Sequence, residues 1–381
     1  MRIVVVSPTF FPVVGGAEVG IHEIAARLAS DHEVIVVTSM PASIADAYGD
    51  TEDRTLPYRV IRTRERSVRR RGIRRPFSVL GRLLSIPEAR VLRKLHRERP
   101  IDIVNIHFLW PHALLALAVP NLLPGARSVV SLVGRADVLS SAGWIKRAQA
   151  RLALRAADSI IVNSGFYLAG TTWLSRATEI PYGAAINEYY PRPSLTRAGG
   201  PFRMLAVQRL APIKRVDLLI DVARLLDENH PGEFELVIAG TGDEYERLCA
   251  RVAQLGLHNV RLLGYVAEAD LPALYRRSDV FVSHSLFETF GVMYAQAMAT
   301  GLPIVAARTS CVPWVVGHQV NGILVDPFDV RAFADAVVTL ASDRELHRTI
   351  ASANQAKARE QYDWDRIAAM TVECFEKARA R

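Results

Sequence analysis

Apolar residues along this 381-residue chain gather in short unbroken runs, the first being IVVV at 3–6 and VIVV at 34–37, and recur at helical spacing between them. Strands with one wet face would alternate apolar and polar positions; unbroken runs predict parallel strands covered on both sides by helices. After the first run a loop leads into a helix with Val19, Ile21, Ile24 and Leu28 facing inward. IDIVNIHF brings a strand to His107, SVVSLVG one to Gly134, and AADSIIVNS one to Ser164. From Asn187 to Pro201 the chain is rich in Pro, Gly and polar residues without periodicity, which predicts a linker. The series then restarts with FRMLAV and continues through FELVIAG, VRLLG and DVFVS. The expected architecture is α/β: two doubly wound domains, residues 1–186 and 202–361.

The richest stretch is FVSHSLFETFGVMYAQAMATGLPIVA, residues 281–306, which reads as strand, loop, helix, tight turn and strand. Strong helix formers fill 292–300, and Gly301, Leu302 and Pro303 stop the helix. A helix that begins just after Gly291 aims the free amides of Gly291, Val292 and Met293 beyond the strand end, where an anion is the favoured occupant. Glu288 precedes that seat and Gln296 lies about two turns into the helix, so polar groups reach both sides of a bound diphosphate. The alternative is a helix end that merely caps a buried strand.

Other strand ends add candidates. Arg209 and Lys214, five apart in the loop after FRMLAV, are placed to converge on the same diphosphate, or else are two solvated cations. Gly240 and Gly242 mark the next turn, but the third glycine of a dinucleotide fingerprint is missing, so a nicotinamide cofactor is not expected. Gly15 and Gly16 let the backbone pass close to a ligand at the first strand's carboxyl end. His107, Gly134 and Asp137 are candidates for the acceptor side. His107 has an ordinary pKa near neutrality that suits acid–base work, against the alternative of a packed histidine.

The stretch from Glu288 to Gly301 resembles the retaining glycosyltransferases of the GT-B fold, the large family four group, with the pattern E-x-F-G-x4-E-A. Glu288, Phe290, Gly291, Ala297 and Gly301 fit, and Gln296 stands where those proteins carry a second Glu. The resemblance implies two Rossmann-like domains facing across a cleft, with the Trp-containing helix at 362–381 returning to the first. It implies transfer of a hexosyl group, with retention, from a nucleotide-diphosphate sugar to a glycan or lipid-linked acceptor. Glu288 would meet the donor sugar, Gln296 would hold the ribose, and Arg209 and Lys214 would stabilise the departing diphosphate. Gly240, Phe290, Gly291 and Val292 would complete the donor site, and the G-G-A-E loop at Gly15 and Gly16 would lie near donor phosphate and acceptor. Two positions depart from the pattern: Val133 replaces a His that many relatives carry before the Gly matching Gly134, and Ala185 replaces an Asp. A sugar-nucleotide epimerase or hydrolase, or a catalytically silent binder, would share the same framework.

Charge adds a feature outside that framework. Net charge is +8, yet residues 59–99 alone hold about fifteen basic residues against Glu65, Glu88 and Glu98, so the excess is one patch. Arg59–Arg99 with its interleaved leucines predicts docking on an anionic membrane; a helix packing its apolar stripe on its own domain is the alternative. No aromatics interleave the arginines, so nucleic acid is not an expected partner. Neither a cofactor nor a metal is expected: Asp363 and Asp365 form a D-x-D but precede and enter a helix, which suits capping. Cys249, Cys311 and Cys374 lie far apart, and no basic apolar leader precedes IVVVS, so the expected location is cytoplasmic, peripheral at most on a membrane.

Overall fold

The computed structural model describes residues 1–12, 15–40, 55–64, 87–134, 137, 143–190 and 200–381. The chain divides into two compact units: Met1–Ile180 with Ile367–Arg381, and Pro181–Arg366. The break thus falls at Ile180, six residues before the expected boundary at 186, and Pro181 to Tyr190 and Gly200 belong with the second unit.

The first unit is built on a parallel sheet. Its strands are β1 (Arg2–Ser7), β2 (Glu33–Met40), β3 (Arg59–Arg64), β4 (Ile103–His107), β5 (Arg127–Leu132), β6 (Ser159–Val162) and β7 (Ala177–Glu179), in the order β3-β2-β1-β4-β5-β6-β7. Every residue of β1 and β4 is buried, which is why their sequences do not alternate. Helices α1 (Gly16–Leu28), α2 (Pro87–Glu98), α3 (Leu109–Leu122) and α4 (Trp144–Ala156) accompany the strands.

Part of the basic segment is sheet and core. Arg59–Arg64 is an edge strand that pairs with β2 in parallel register, Ile35 opposite Arg59 and Thr38 opposite Arg62. In α2 the apolar stripe is used internally: Leu92 and Leu95 are buried, whereas Arg90, Arg93, Lys94 and Arg97 are exposed. That is the own-domain packing alternative for this helix. The middle of the segment, residues 65–86, lies outside the described residues.

The second unit carries β8 (Phe202–Val207), β9 (Phe234–Ala239), β10 (Val260–Gly264), β11 (Val280–Ser283), β12 (Ile304–Ala307) and β13 (Gly322–Val325), again all parallel, in the order β10-β9-β8-β11-β12-β13. Its helices are α5 (Val216–Asn229), α6 (Tyr245–Gln254), α7 (Leu271–Arg276), α8 (Val292–Thr300), α9 (Val312–Val315), α10 (Val330–Ser342) and α11 (Arg344–Gln361). Leu219, Val222, Ile238, Val305, Phe333 and Val337 belong to one buried cluster joining sheet and helices. The chain leaves β8 toward β9 on one side and resumes with β11 on the other, so the wiring reverses between β8 and β11, where open parallel sheets place their ligands. The last helix, α12 (Trp364–Arg379), groups from Ile367 onward with the first unit. Within that unit Arg379 pairs with Asp102 at 3.4 Å and Cys374 is buried 3.6 Å from the Ser159 hydroxyl. The Asp365 amide donates to the Asp363 carboxylate at 2.8 Å, so the D-x-D does cap a helix.

Candidate active site

The second unit gathers its candidates at the reversal point. α8 spans Val292–Thr300, as its residues predict, and starts on Gly291, whose φ of +81° is a left-handed conformation. A Cβ on Gly291 would lie 2.6 Å from the Tyr294 ring, so both backbone and packing require glycine there. Among the described residues no side chain caps this helix start, and with the Tyr294 amide donating to the Gly291 carbonyl at 2.9 Å, those of Val292 and Met293 are left available to an anion. Phe290 is buried edge-on to Tyr182 and Tyr362, fixing the approach to the helix. Seven helical residues from Tyr294 to Thr300 are buried, so only the start of α8 is presented outward.

Glu288 is buried, and Lys214 donates to its Oε1 at 2.5 Å. The loop after β8 and the loop after β11 therefore meet through an ion pair of opposite charges, 74 residues apart in sequence. The Glu288 amide donates to the Ser310 hydroxyl at 2.8 Å, bringing in the loop after β12. Arg209 is exposed and has no ion-pair partner among the described residues. Lys214 is thus held by Glu288 while Arg209 extends freely, an asymmetry that their spacing did not suggest.

Gln296 sits on the inner side of α8, where the Tyr275 hydroxyl donates to its Oε1 at 3.0 Å. The amide oxygen is committed, and the Nε2 group is what remains for a ligand. Gly240 has a structural task of its own: φ is +140°, and a Cβ would lie 1.9 Å from the Gln208 carbonyl oxygen. Gly242 is similarly pressed against Leu210. These glycines let the loops after β8 and β9 run side by side, continuing the ladder through Gln208 to Ala239 and Leu210 to Thr241.

Two neighbours carried no motif. His284 is buried at the end of β11, stacked on Phe333, with Nε2 accepting from the Phe328 amide and Nδ1 without a partner among the described residues; burial pushes it down to about 4. Cys311 is buried close enough to Glu288 and Lys214 to feel both charges, and burial pushes its thiol well up. An apolar run with one histidine at its end does mark a strand terminus, which is the signal that could have found His284.

In the first unit Gly15 caps the start of α1 at an ordinary extended φ of −151°, and Gly16 is the first helical residue. Glu18, in the first turn, is buried and accepts from Thr9 at 2.5 Å; a Cβ on Gly15 would meet its carboxylate at 2.6 Å. His107 ends β4 but is buried, and desolvation lowers it to about 3, far from the neutral range expected of an acid–base group. Asp137 is wholly buried: its two oxygens accept from the amides of Leu109, Val133 and Gly134 at 2.9, 3.1 and 2.8 Å. It ties the loop after β5 to the start of α3, and burial raises it to about 6 despite those bonds. Gly134 leaves room for the Phe108 ring, which a Cβ would meet at 2.5 Å. Of the three acceptor-side candidates, none therefore presents a free charged group.

Among the described residues no helix is long and apolar enough to cross a membrane, and no group of three or more His, Cys, Asp or Glu could hold a metal.

Comparison with known proteins agrees with this arrangement. Residues 191–357 match the family described as Glycosyl transferases group 1, and residues 14–169 match Glycosyltransferase Family 4. An uncharacterised glycosyltransferase of Methanocaldococcus jannaschii is 35% identical over 46% of this chain, and the aligned part spans 45% of that relative. A glycogen synthase of Mycobacterium tuberculosis is 27% identical over 98% of this chain and 94% of its own. Among solved structures, Anabaena HepE in complex with UDP and glucose superposes with a TM-score of 0.77 and 24% identity over 99% of both chains. Two parallel α/β units, with an uncapped helix start and a Lys–Glu pair at the reversal point of the second, go with these matches: the chain belongs to the family 4 glycosyltransferases of the GT-B fold.

Proposed function

We propose that the protein transfers a hexosyl group, with retention of configuration, from a nucleotide-diphosphate sugar to a glycan or lipid-linked acceptor. The observation that carries this reading is the Lys214–Glu288 ion pair, whose Glu288 stands three residues before the free helix start at Gly291, with the exposed Arg209 in the same loop as Lys214. An uncapped helix start close to the Lys214–Glu288 pair suits a diphosphate, whose negative charge grows as the sugar departs. In this reading Arg209 and Lys214 stabilise the leaving group, and the amides of Gly291 and Val292 bind it. Glu288 orients the donor sugar while steering Lys214, and Gln296 offers its Nε2 to the ribose. That HepE was crystallised with UDP, and with UDP-glucose, supports a nucleotide sugar as the donor class. The exposed arginines of α2 support an acceptor held at an anionic surface.

The test is a panel of nucleotide sugars offered to the full chain, with release of nucleoside diphosphate and thermal stabilisation read in parallel. One sugar nucleotide should both raise the melting temperature and release its diphosphate. Stabilisation without turnover across candidate acceptors would leave a silent binder, and no stabilisation by any nucleotide would overturn the reading.

A further inference from the structure

A cavity of about 560 Å³ in the first unit is lined by Arg147, Arg151 and Arg155 on one side and by the loop 169–173 on the other. The three arginines are spaced four apart on α4, so they rise along one face of the helix about 6 Å from one to the next. Lys146 is turned to the Trp110 ring, 5.9 Å from its centroid, and no acidic residue occurs anywhere in Trp144–Ala156 or in residues 165–177. Arg151 and Arg155 are exposed and have no ion-pair partner among the described residues. Helical arginines on a solvated face usually alternate with Glu or Asp four residues away, as Arg27 with Glu23 and Arg224 with Glu228 do here. α4 has none of that compensation.

The opposite wall closes the site from above the helix. Gly170 turns the chain at a φ of +72°, with open space where a side chain would stand. The Thr171 hydroxyl donates to the Leu168 carbonyl at 2.7 Å and accepts from the Trp173 amide at 3.3 Å, which fixes the loop. Arg176 lies 5.0 Å over the Trp173 ring and holds the indole in place against the cavity. A rigid loop facing the exposed guanidinium groups of Arg151 and Arg155 matches ligands that carry several closely spaced negative oxygens, because guanidinium binds such oxygens in pairs.

We propose that this cavity is a second anion site, distinct from the candidate donor site of the other unit, and that it takes two or more phosphate groups at once, carried by one soluble compound or presented by neighbouring lipid headgroups. Arg151 and Arg155 bind those groups, and the loop 169–173 limits their size. The phosphates come from a soluble compound or from lipid headgroups, and the two sources are separable by experiment.

Inorganic pyrophosphate is titrated calorimetrically into the full chain, into Arg151→Ala/Arg155→Ala, and into a charge-matched control, Arg331→Ala/Arg344→Ala. Running the series also in an Arg209→Ala background weakens the donor site without touching the cavity, so failure of that assignment and failure of this one remain distinct. The cavity variant should bind about tenfold more weakly or worse than the control. In parallel, phosphatidylglycerol and phosphatidylcholine vesicles are co-sedimented with the same proteins at low and high salt. Loss of pyrophosphate binding alone assigns a soluble phosphorylated ligand. Loss of phosphatidylglycerol binding, with or without loss of pyrophosphate, assigns a headgroup. If neither readout separates the cavity variant from the control, the site does not exist.

Discussion

The Tyr275 hydroxyl donates to Gln296 Oε1 at 3.0 Å, in a part of the second unit where both side chains are buried. Burial pushes the Tyr275 hydroxyl well above its ordinary range, so it stays protonated and remains a donor. The ligand-facing end of Gln296 is then its amine, which can donate to one ribose hydroxyl but cannot accept from it. A carboxylate at the same place keeps the Tyr275 bond, now charge-assisted, and adds an acceptor. Gln296→Glu should tighten binding of the preferred nucleoside diphosphate by about 1 kcal/mol, near fivefold, measured by titration calorimetry. Weaker binding by the variant would show that this glutamine serves different surroundings.

Arg209 and Lys214 should respond differently to removal, because among the described residues Lys214 has an ion-pair partner and Arg209 has none. Arg209→Ala should lower turnover roughly tenfold to a hundredfold, with an unchanged urea midpoint. Lys214→Ala should lower turnover and also destabilise, since it strands the buried Glu288 carboxylate. Lys214→Ala/Glu288→Gln should recover the lost stability but not the activity. Equal stability losses for Arg209→Ala and Lys214→Ala would contradict the asymmetry.

Gly240→Ala should destabilise the second unit by about 2 kcal/mol or more, because a Cβ would lie 1.9 Å from a backbone carbonyl that cannot move aside without breaking the β8–β9 ladder. Gly170→Ala, also at positive φ but in open space, should cost about 1 kcal/mol. Urea unfolding of both variants checks the difference. A milder effect at Gly240 would mean that the loops are not held together there.

Acid should weaken the fold through its buried histidines. His107 and His284 are lowered to about 3 and about 4, so between those values and the ordinary 6.5 the unfolded chain binds protons that the native one refuses. Their stabilisation is complete above 6.5 and is lost as pH falls toward 4. Asp137, raised to about 6, acts oppositely: its folded form takes up a proton first, which favours the native state as pH falls from about 6 to 4. Two histidines outweigh one carboxyl over that window. The urea midpoint should fall from pH 6.5 to 4.5, and His107→Gln should flatten the slope. An unchanged slope would place His107 in contact with water.

Asp137→Asn isolates the anchoring role. The amide supplies one acceptor atom where the carboxylate supplies two, and its amine would face a backbone N–H. A loss of about 2 kcal/mol in the unfolding free energy is expected, with nucleotide binding to the second unit unaffected. A selective loss of transfer with full stability would instead restore Asp137 to the acceptor side.

The sequence by itself determined the class of fold and the limits of its central helix. Short unbroken runs rich in Val and Ile mark strands covered on both faces, and helix formers set between Gly291 and Gly301 leave little freedom in where α8 begins and ends. It also marked Arg209, Lys214, Glu288 and Gln296, because their spacing from strand ends is a local property. What each of these side chains touches was decided by tertiary structure. The Lys214–Glu288 pair and the Tyr275–Gln296 bond join residues 74 and 21 positions apart, and no local pattern encodes such contacts. Burial is equally non-local: His107 and Asp137 look like chemistry in a strand-end motif, and only the packing around them removes water and turns them into a neutral ring and a structural anchor. The arginines of α4 stand four apart in the sequence, but their cavity exists only because the loop 169–173, later in the chain, folds against them.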